Sequence, residues 1–185
     1  MPLPIPQPAF LLLFVLGFTY FMLAGARTFE RDDSDGIAAG LGQFSFLCTG
    51  ALATWFLGRW VTVHLWSGLA GAVLFVAALA LYEWARWTIA RLRFHIAWSG
   101  DVPEEVCDRG PYALVRHPVY LSYMLALAAV VIALPSFASA GIFLFNAALF
   151  THAAFADERS IAASPLAADY AAYRKRAGMF LPRLK

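Results

Sequence analysis

The sequence predicts an all-α, polytopic membrane protein with about five transmembrane helices, a tight hairpin between the fourth and fifth, and a C-terminal amphipathic helix at the interface. Three observations carry this. The chain of 185 residues is 61% hydrophobic and only 14% charged, a hydropathy that points to one integral membrane domain. Residues 118–134 contain no charged side chain, and a second apolar run from 136 ends at Asp157-Glu158. At about 17 and about 20 residues, each run is roughly long enough to cross a bilayer core. Only Pro135 and its neighbours separate the runs, so they must fold back as an antiparallel hairpin.

The elements follow in order. Met1 to Pro8 is proline-rich and carries no Lys or Arg, whereas a secretory signal needs a positive start, so Ala9 to Ala26 reads as a retained transmembrane helix. The charged run from Arg27 to Gly36 is a solvated turn. A second span is expected from about Ile37 to Leu57, its first half rich in Gly, Ala and Ser as close helix packing in lipid requires. Gly58-Arg59-Trp60 makes a short turn, and a third helix runs from about Val61 through Arg91. Some thirty helical residues reach about 45 Å, so its end projects into water, with Trp84, Trp87 and Trp98 as interfacial anchors. Residues 1–94 thus form three spans of a single domain covering 1–185, and residues 95–185 form its ligand-binding part. That part opens with a polar connector from His95 to Arg109. It closes with a helix from about Pro165 to Ala177, ending near Gly178 and Pro182 and lying over the hairpin mouth.

Composition excludes several classes of function. The net charge is +2 and no basic stripe is interleaved with aromatics, which argues against nucleic acid. Cys48 and Cys107 fit neither a disulfide framework nor a metal motif, and no His-x-x-x-His or Cys-x-x-Cys spacing supports a metal site. There is no P-loop, Gly-x-Gly-x-x-Gly, Gly-x-Ser-x-Gly or His-Glu-x-x-His, so nucleotide hydrolysis and serine or zinc hydrolysis are not expected. Arg27, Arg31, Arg86, Arg91, Arg93, Arg109, Arg116 and every basic residue from Arg159 onward fall on one side of the five spans, and Arg59 alone falls on the other. The N-terminus is therefore expected outside and the C-terminus in the cytoplasm, in the cell membrane of a bacterium or archaeon.

The organising stretch is Gly110-Pro111-Tyr112-Ala113-Leu114-Val115-Arg116-His117-Pro118-Val119-Tyr120. Proline at a first helical position pre-sets the backbone, which puts Arg116 and His117 at a helix mouth whose unpaired N–H groups and dipole favour an anion. Equal hairpin arms bring Asp157 and Glu158 to the same depth. Facing cationic and anionic clusters suit a zwitterionic, amino-acid-like ligand, and polar groups at membrane depth are costly enough to mark a site. Arg174-Lys175-Arg176 reads as a contact with anionic membrane lipids or with a substrate carboxylate. His152, within the fifth span, is either a satisfied intramembrane histidine or a ligand that His95 approaches.

These residues resemble the signature of the isoprenylcysteine carboxyl methyltransferases and their phospholipid-methyltransferase relatives. The matching pieces are Gly110-Pro111-Tyr112, Arg116-His117-Pro118-Val119-Tyr120, the acidic pair after the hairpin, and Tyr170-x-x-Tyr173 followed by Arg174-Lys175-Arg176 and Leu181-Pro182. The resemblance spans residues 110–182. It implies a membrane-embedded methyltransferase using S-adenosyl-L-methionine from the cytosol and a lipophilic small-molecule or lipid acceptor from the bilayer. On the same grounds Tyr112, Arg116, His117, Pro118 and Tyr120 hold the cofactor, with Asp157 and Glu158 on its amino group or ribose. Arg176 orients an acceptor carboxylate, and Glu158 or His152 assists proton loss when the acceptor is nitrogen or sulfur. This chain has Asp157 where the family usually has a glutamate and Ser122 where it commonly has glycine.

Other classes stay open at this point. A phospholipid N-methyltransferase or thiol S-methyltransferase fits the same motifs. The region also resembles membrane sterol reductases and a denitrification-associated membrane protein, although no arginine cluster is committed to the 2′-phosphate of NADPH. A haem or quinone protein would draw on His95, His117 and His152. A non-catalytic scaffold leaves the level pairing of His117 with Glu158 unexplained.

Overall fold

A computed structural model describes residues 7–28, 50, 63–90 and 105–183. The elements formed by the described residues are all helices, with no strand among them: α1 (Gln7–Thr28), α2 (Leu65–Ile89), a 3-10 turn (Gly110–Ala113), α3 (Pro118–Ala133), α4 (Phe137–Ala162) and α5 (Ala167–Arg176). The expected second span from Ile37 to Leu57 lies outside the described residues apart from Gly50, as do Gly58-Arg59-Trp60, His95 and Trp98.

Aromatic packing fixes the direction of α1 against α2. Phe10 sits against Gly68, Phe14 and Phe18 meet Phe75 at ring-centroid distances of 4.8 and 5.4 Å, and Phe21 meets Tyr82 at 4.9 Å. Positions rise together along both helices, so α1 and α2 are parallel, and Thr28 and Val63 stand at opposite ends of the bundle. Phe75 is fully buried at the centre of these edge-on contacts, the geometry aromatic quadrupoles prefer.

Helix α3 packs antiparallel against α2. Gly71 allows it: a Cβ there would lie 2.8 Å from both the Ala129 carbonyl oxygen and the Ala133 methyl, so the helices approach as small residues permit in membrane bundles. At the far end Gly110 takes φ +56° beneath Thr88 and Trp84, a left-handed conformation that favours glycine. The chain then turns from the 3-10 helix into α3.

The tight hairpin occupies Leu134–Ser136. Ser136 and Ser139 close a capping box, Ser139 N–H donating to Ser136 Oγ at 3.0 Å and Ser136 N–H to Ser139 Oγ at 3.1 Å. The box satisfies N–H groups that begin α4. One expectation is corrected here. Asp157 and Glu158 do not end their helix, because α4 continues through Arg159, Ser160 and Ile161 to Ala162. The polar residues continue the helix because its inner face is still being buried, Glu158 at 4% exposure and Ile161 against Tyr170 and Tyr173. Helix α2 likewise starts at Leu65 rather than Val61, and α5 starts after Leu166 rather than at Pro165.

Two helices, Leu65–Ile89 and Phe137–Ala162, are long and apolar enough to cross a membrane, with mean hydropathy of 2.0 and 1.4 over their most apolar windows. Only 28% of either window is buried within the fold. Helix α3 is apolar but only 16 residues long, about 24 Å, and Phe10–Gly25 of α1 is also short of that test. Trp84 and Trp87 are exposed near the C-terminal end of α2.

Candidate functional site

The site is assembled where the N-terminus of α3 meets the C-terminal turns of α4. Antiparallel arms joined by three residues bring positions 116–120 level with 157–158, the α4 arm being the longer of the two rather than equal to α3. Arg116 Nε donates to Glu158 Oε1 at 2.8 Å, and His117 Nε2 lies 3.2 Å from the same oxygen. With Glu158 ionised that contact needs a proton on Nε2, since a carboxylate only accepts. Both partners of the arginine pair are buried, their side chains 6% and 5% exposed. One helical position earlier, Tyr120 OH donates to Asp157 Oδ2 at 2.9 Å. The His117 and Tyr120 rings are stacked at 5.6 Å, and Phe180 tilts against the other side of His117 at 6.0 Å.

The segment after α5 forms the second wall. Arg116 N–H donates to the Gly178 carbonyl at 2.7 Å, His117 N–H to Met179 at 3.2 Å, and Gly178 N–H to Leu114 at 3.3 Å, an isolated parallel bridge between Val115 and Gly178. Arg116 Nη1 adds a bond to the Ala177 carbonyl at 2.7 Å. The amides of Arg116 and His117, just ahead of the helix mouth, are thus occupied by backbone carbonyls. The reason is local: the segment leaving α5 carries carbonyls that need donors.

Helix α5 is fixed by its tyrosines. Tyr173 OH donates to the Tyr112 carbonyl at 2.6 Å, while Tyr170 and Tyr173 bury against Val106, Ile161 and Ala177. Burial pushes the phenols of Tyr112, Tyr170 and Tyr173 well above the ordinary tyrosine range, so all three stay protonated. Cys107 packs with Ala85, Ile89 and Tyr112, and burial raises its thiol as well.

Of the residues expected from sequence, the structure brings together Arg116, His117, Tyr120, Asp157 and Glu158. Pro118 is buried as the first residue of α3, and Tyr112 contributes a carbonyl to α5 while its ring packs on α2. Arg176 does not join them. Its guanidinium, 67% exposed, reaches Asp108 Oδ2 at 3.2 Å on the outer side of α5. Arg174 comes instead, its Nε 3.5 Å from Glu158 Oε2 with the side chain half-exposed. Helical register alone does not separate the two: Arg174 lies four residues after the buried Tyr170 and Arg176 three after the buried Tyr173, and the docking of α5 decides that Arg174 is the one beside Glu158. His152 is exposed on α4 and His64 caps the distant end of α2. No group of three or more potential metal ligands occurs among the described residues. Ser122, where a glycine was expected, is fully buried and turns its hydroxyl back onto the Val119 carbonyl at 2.6 Å.

Chemically the cluster offers two carboxylates and three basic side chains, unequally engaged. Glu158 Oε1 holds two donors, Oε2 meets the loose ion pair with Arg174, and the buried Tyr170 phenol also faces this carboxylate. Such an arrangement can bind an ammonium group at the acidic pair and an anion at Arg174. No protein-family model matches the chain, and no curated protein shows significant similarity to it.

Proposed function

We propose that this chain is a membrane-embedded methyltransferase that uses S-adenosyl-L-methionine and a lipophilic acceptor, an isoprenylcysteine-like carboxylate first and a phospholipid amine or a thiol as alternatives. The observation that carries the reading is Glu158: a carboxylate buried in an apolar helix, level with Arg116 and His117 across a three-residue hairpin. An ion pair is costly to bury, and its siting beside Tyr120–Asp157 suits a zwitterion better than it suits packing alone.

The donor set fits the methionine end of the cofactor. Glu158 Oε2 and Asp157 would hold its ammonium group, and Arg174, outermost of the Glu158 cations, would take its carboxylate or that of the acceptor. Arg116 and His117 act one step behind, orienting Glu158. Arg176 serves on this reading to position α5 through Asp108. When bound, the cofactor supplies a methyl group already activated by its sulfonium. The chain then has to align the acceptor and exclude water, and a carboxylate acceptor needs no base. His152, the second base considered, is exposed on α4 away from the cluster.

The membrane topology belongs to the same proposal. Parallel α1 and α2 leave Thr28 and Val63 at opposite ends, as a further crossing between them would require, giving five spans. Arg109, Arg116, Arg159, Arg174, Lys175, Arg176 and Arg183 all belong to segments at the site end, which the distribution of basic residues assigns to the cytoplasm, with the N-terminus outside.

The test is calorimetric titration of the detergent-purified protein with S-adenosylhomocysteine, NADPH serving as a parallel control. Saturable binding of the first alone supports the reading. Binding of NADPH alone, or of neither, overturns it in favour of a reductase or a scaffold.

A further inference from the structure

The cations at the C-terminal end are not all absorbed by the site. Arg174 approaches Glu158 and Arg176 approaches Asp108, but among the described residues no acidic side chain forms an ion pair with Lys175 or Arg183. Lys175 is exposed on the face of α5 opposite the buried tyrosines. Arg183 Nη1 donates to the Lys175 backbone carbonyl at 3.3 Å, which folds the tail back onto the end of α5 and brings a guanidinium to the residue that bears the ammonium. On the segment that joins the two, Leu181 stands 78% exposed. Its place is dictated by the turn beneath it, where a Cβ on Gly178 would lie 1.7 Å from the Leu181 carbonyl oxygen. The turn is therefore closed as tightly as glycine allows, and it holds an exposed leucine on the short segment between two exposed basic residues. The exposed Trp84 and Trp87 rings mark the same end of the bundle, and aromatic rings of this kind sit at headgroup level.

We infer that Lys175, Leu181 and Arg183 form a docking surface for anionic lipid headgroups, the cations meeting phosphate charge and the leucine entering the acyl boundary. This rests on the chain's residence in a membrane and not on the reaction it performs. The surface is continuous with the site wall, because residues 177–179 of the same segment supply the carbonyls that hold Arg116 and His117. Occupancy by anionic lipid thus fixes one side of the polar cluster.

The test uses the full chain in detergent micelles, presented with phosphatidylglycerol or phosphatidylcholine, with retained lipid counted by native mass spectrometry. Wild type retains phosphatidylglycerol preferentially, and Lys175→Gln with Arg183→Gln reduces that preference by roughly fivefold per cation removed. Equal retention of the two lipids by wild type, or an undiminished preference in the double variant, overturns the proposal. Displacement of phosphatidylglycerol by millimolar inorganic phosphate also overturns it, since the surface would then bind soluble anions. If the double variant loses helical circular dichroism, Lys175→Gln alone takes its place, its exposed side chain making no ion pair among the described residues.

Discussion

Arg116 and Glu158 form a buried ion pair across the α3–α4 hairpin, 2.8 Å apart and 42 residues apart in sequence. Removing one charge from such a pair leaves the other uncompensated in a medium that cannot solvate it, which costs about 3 kcal/mol or more. Glu158→Gln is therefore expected to lower thermal stability in detergent as well as abolish binding of S-adenosylhomocysteine. Arg116→Gln in the same background should recover part of the stability and none of the binding. A Glu158→Gln protein that binds like wild type would place the ligand elsewhere.

The two arginines of α5 are expected to behave oppositely. Arg174 is the cation beside Glu158 Oε2, whereas Arg176 is paired with Asp108 in water. Exposed pairs of the latter kind contribute little, within about 1 kcal/mol. Arg174→Ala should weaken ligand binding or acceptor turnover at least tenfold, with Arg174→Lys restoring part of it, while Arg176→Ala leaves calorimetric binding close to wild type. Turnover lost in Arg176→Ala with Arg174→Ala unaffected would reverse the assignment.

Gly178→Ala probes the wall of the site without touching a charged residue. The added methyl meets the Leu181 carbonyl, a backbone atom that cannot swing aside, and the bonds from Arg116 and His117 to residues 178 and 179 must loosen. Overpacking of this kind costs about 1–3 kcal/mol. The expected readout is faster amide exchange at Arg116 and His117 together with weaker ligand binding. Unchanged exchange would mean the turn is not needed to hold the wall.

Much of this arrangement was legible in the sequence, and the reason is geometrical. A charge-free run, a single proline and a returning run admit only a hairpin, and a hairpin carries the start of the first run toward the end of the second, which brings His117 near Glu158 although the second arm is the longer. The Tyr120–Asp157 bond lies further into the same hairpin, one turn on from His117 and one position back from Glu158. What could not be read was the path of residues 177–183, because their carbonyls find Arg116 and His117 through backbone contacts that leave no side-chain pattern. Arg176 was preferred to Arg174 because a motif orders residues along the chain, whereas the docking of α5 decides which of the two reaches Glu158. Helix α4 outran its expected end because hydropathy falls at Asp157 while burial of the inner face does not.

The tyrosines that dock α5 give the fold an alkaline limit. Tyr170 and Tyr173 are buried, Tyr173 donates to the Tyr112 carbonyl at 2.6 Å, and burial raises all three phenols above their usual range. A group whose pKa is higher folded than unfolded favours the folded state below its unfolded value, near pH 10 for tyrosine, and that contribution is lost as pH rises toward the folded value. The helical signal should therefore persist to about pH 10 and fall above it, tyrosinate absorbance at 295 nm rising in the same transition. Tyr173→Phe removes one ionisable group and one buried hydrogen bond. It should lower stability at neutral pH by about 1 kcal/mol while making the alkaline fall shallower. If Tyr173→Phe leaves the alkaline transition unchanged, or if every tyrosine titrates near pH 10 with the helices intact, the docking of α5 through these phenols is wrong.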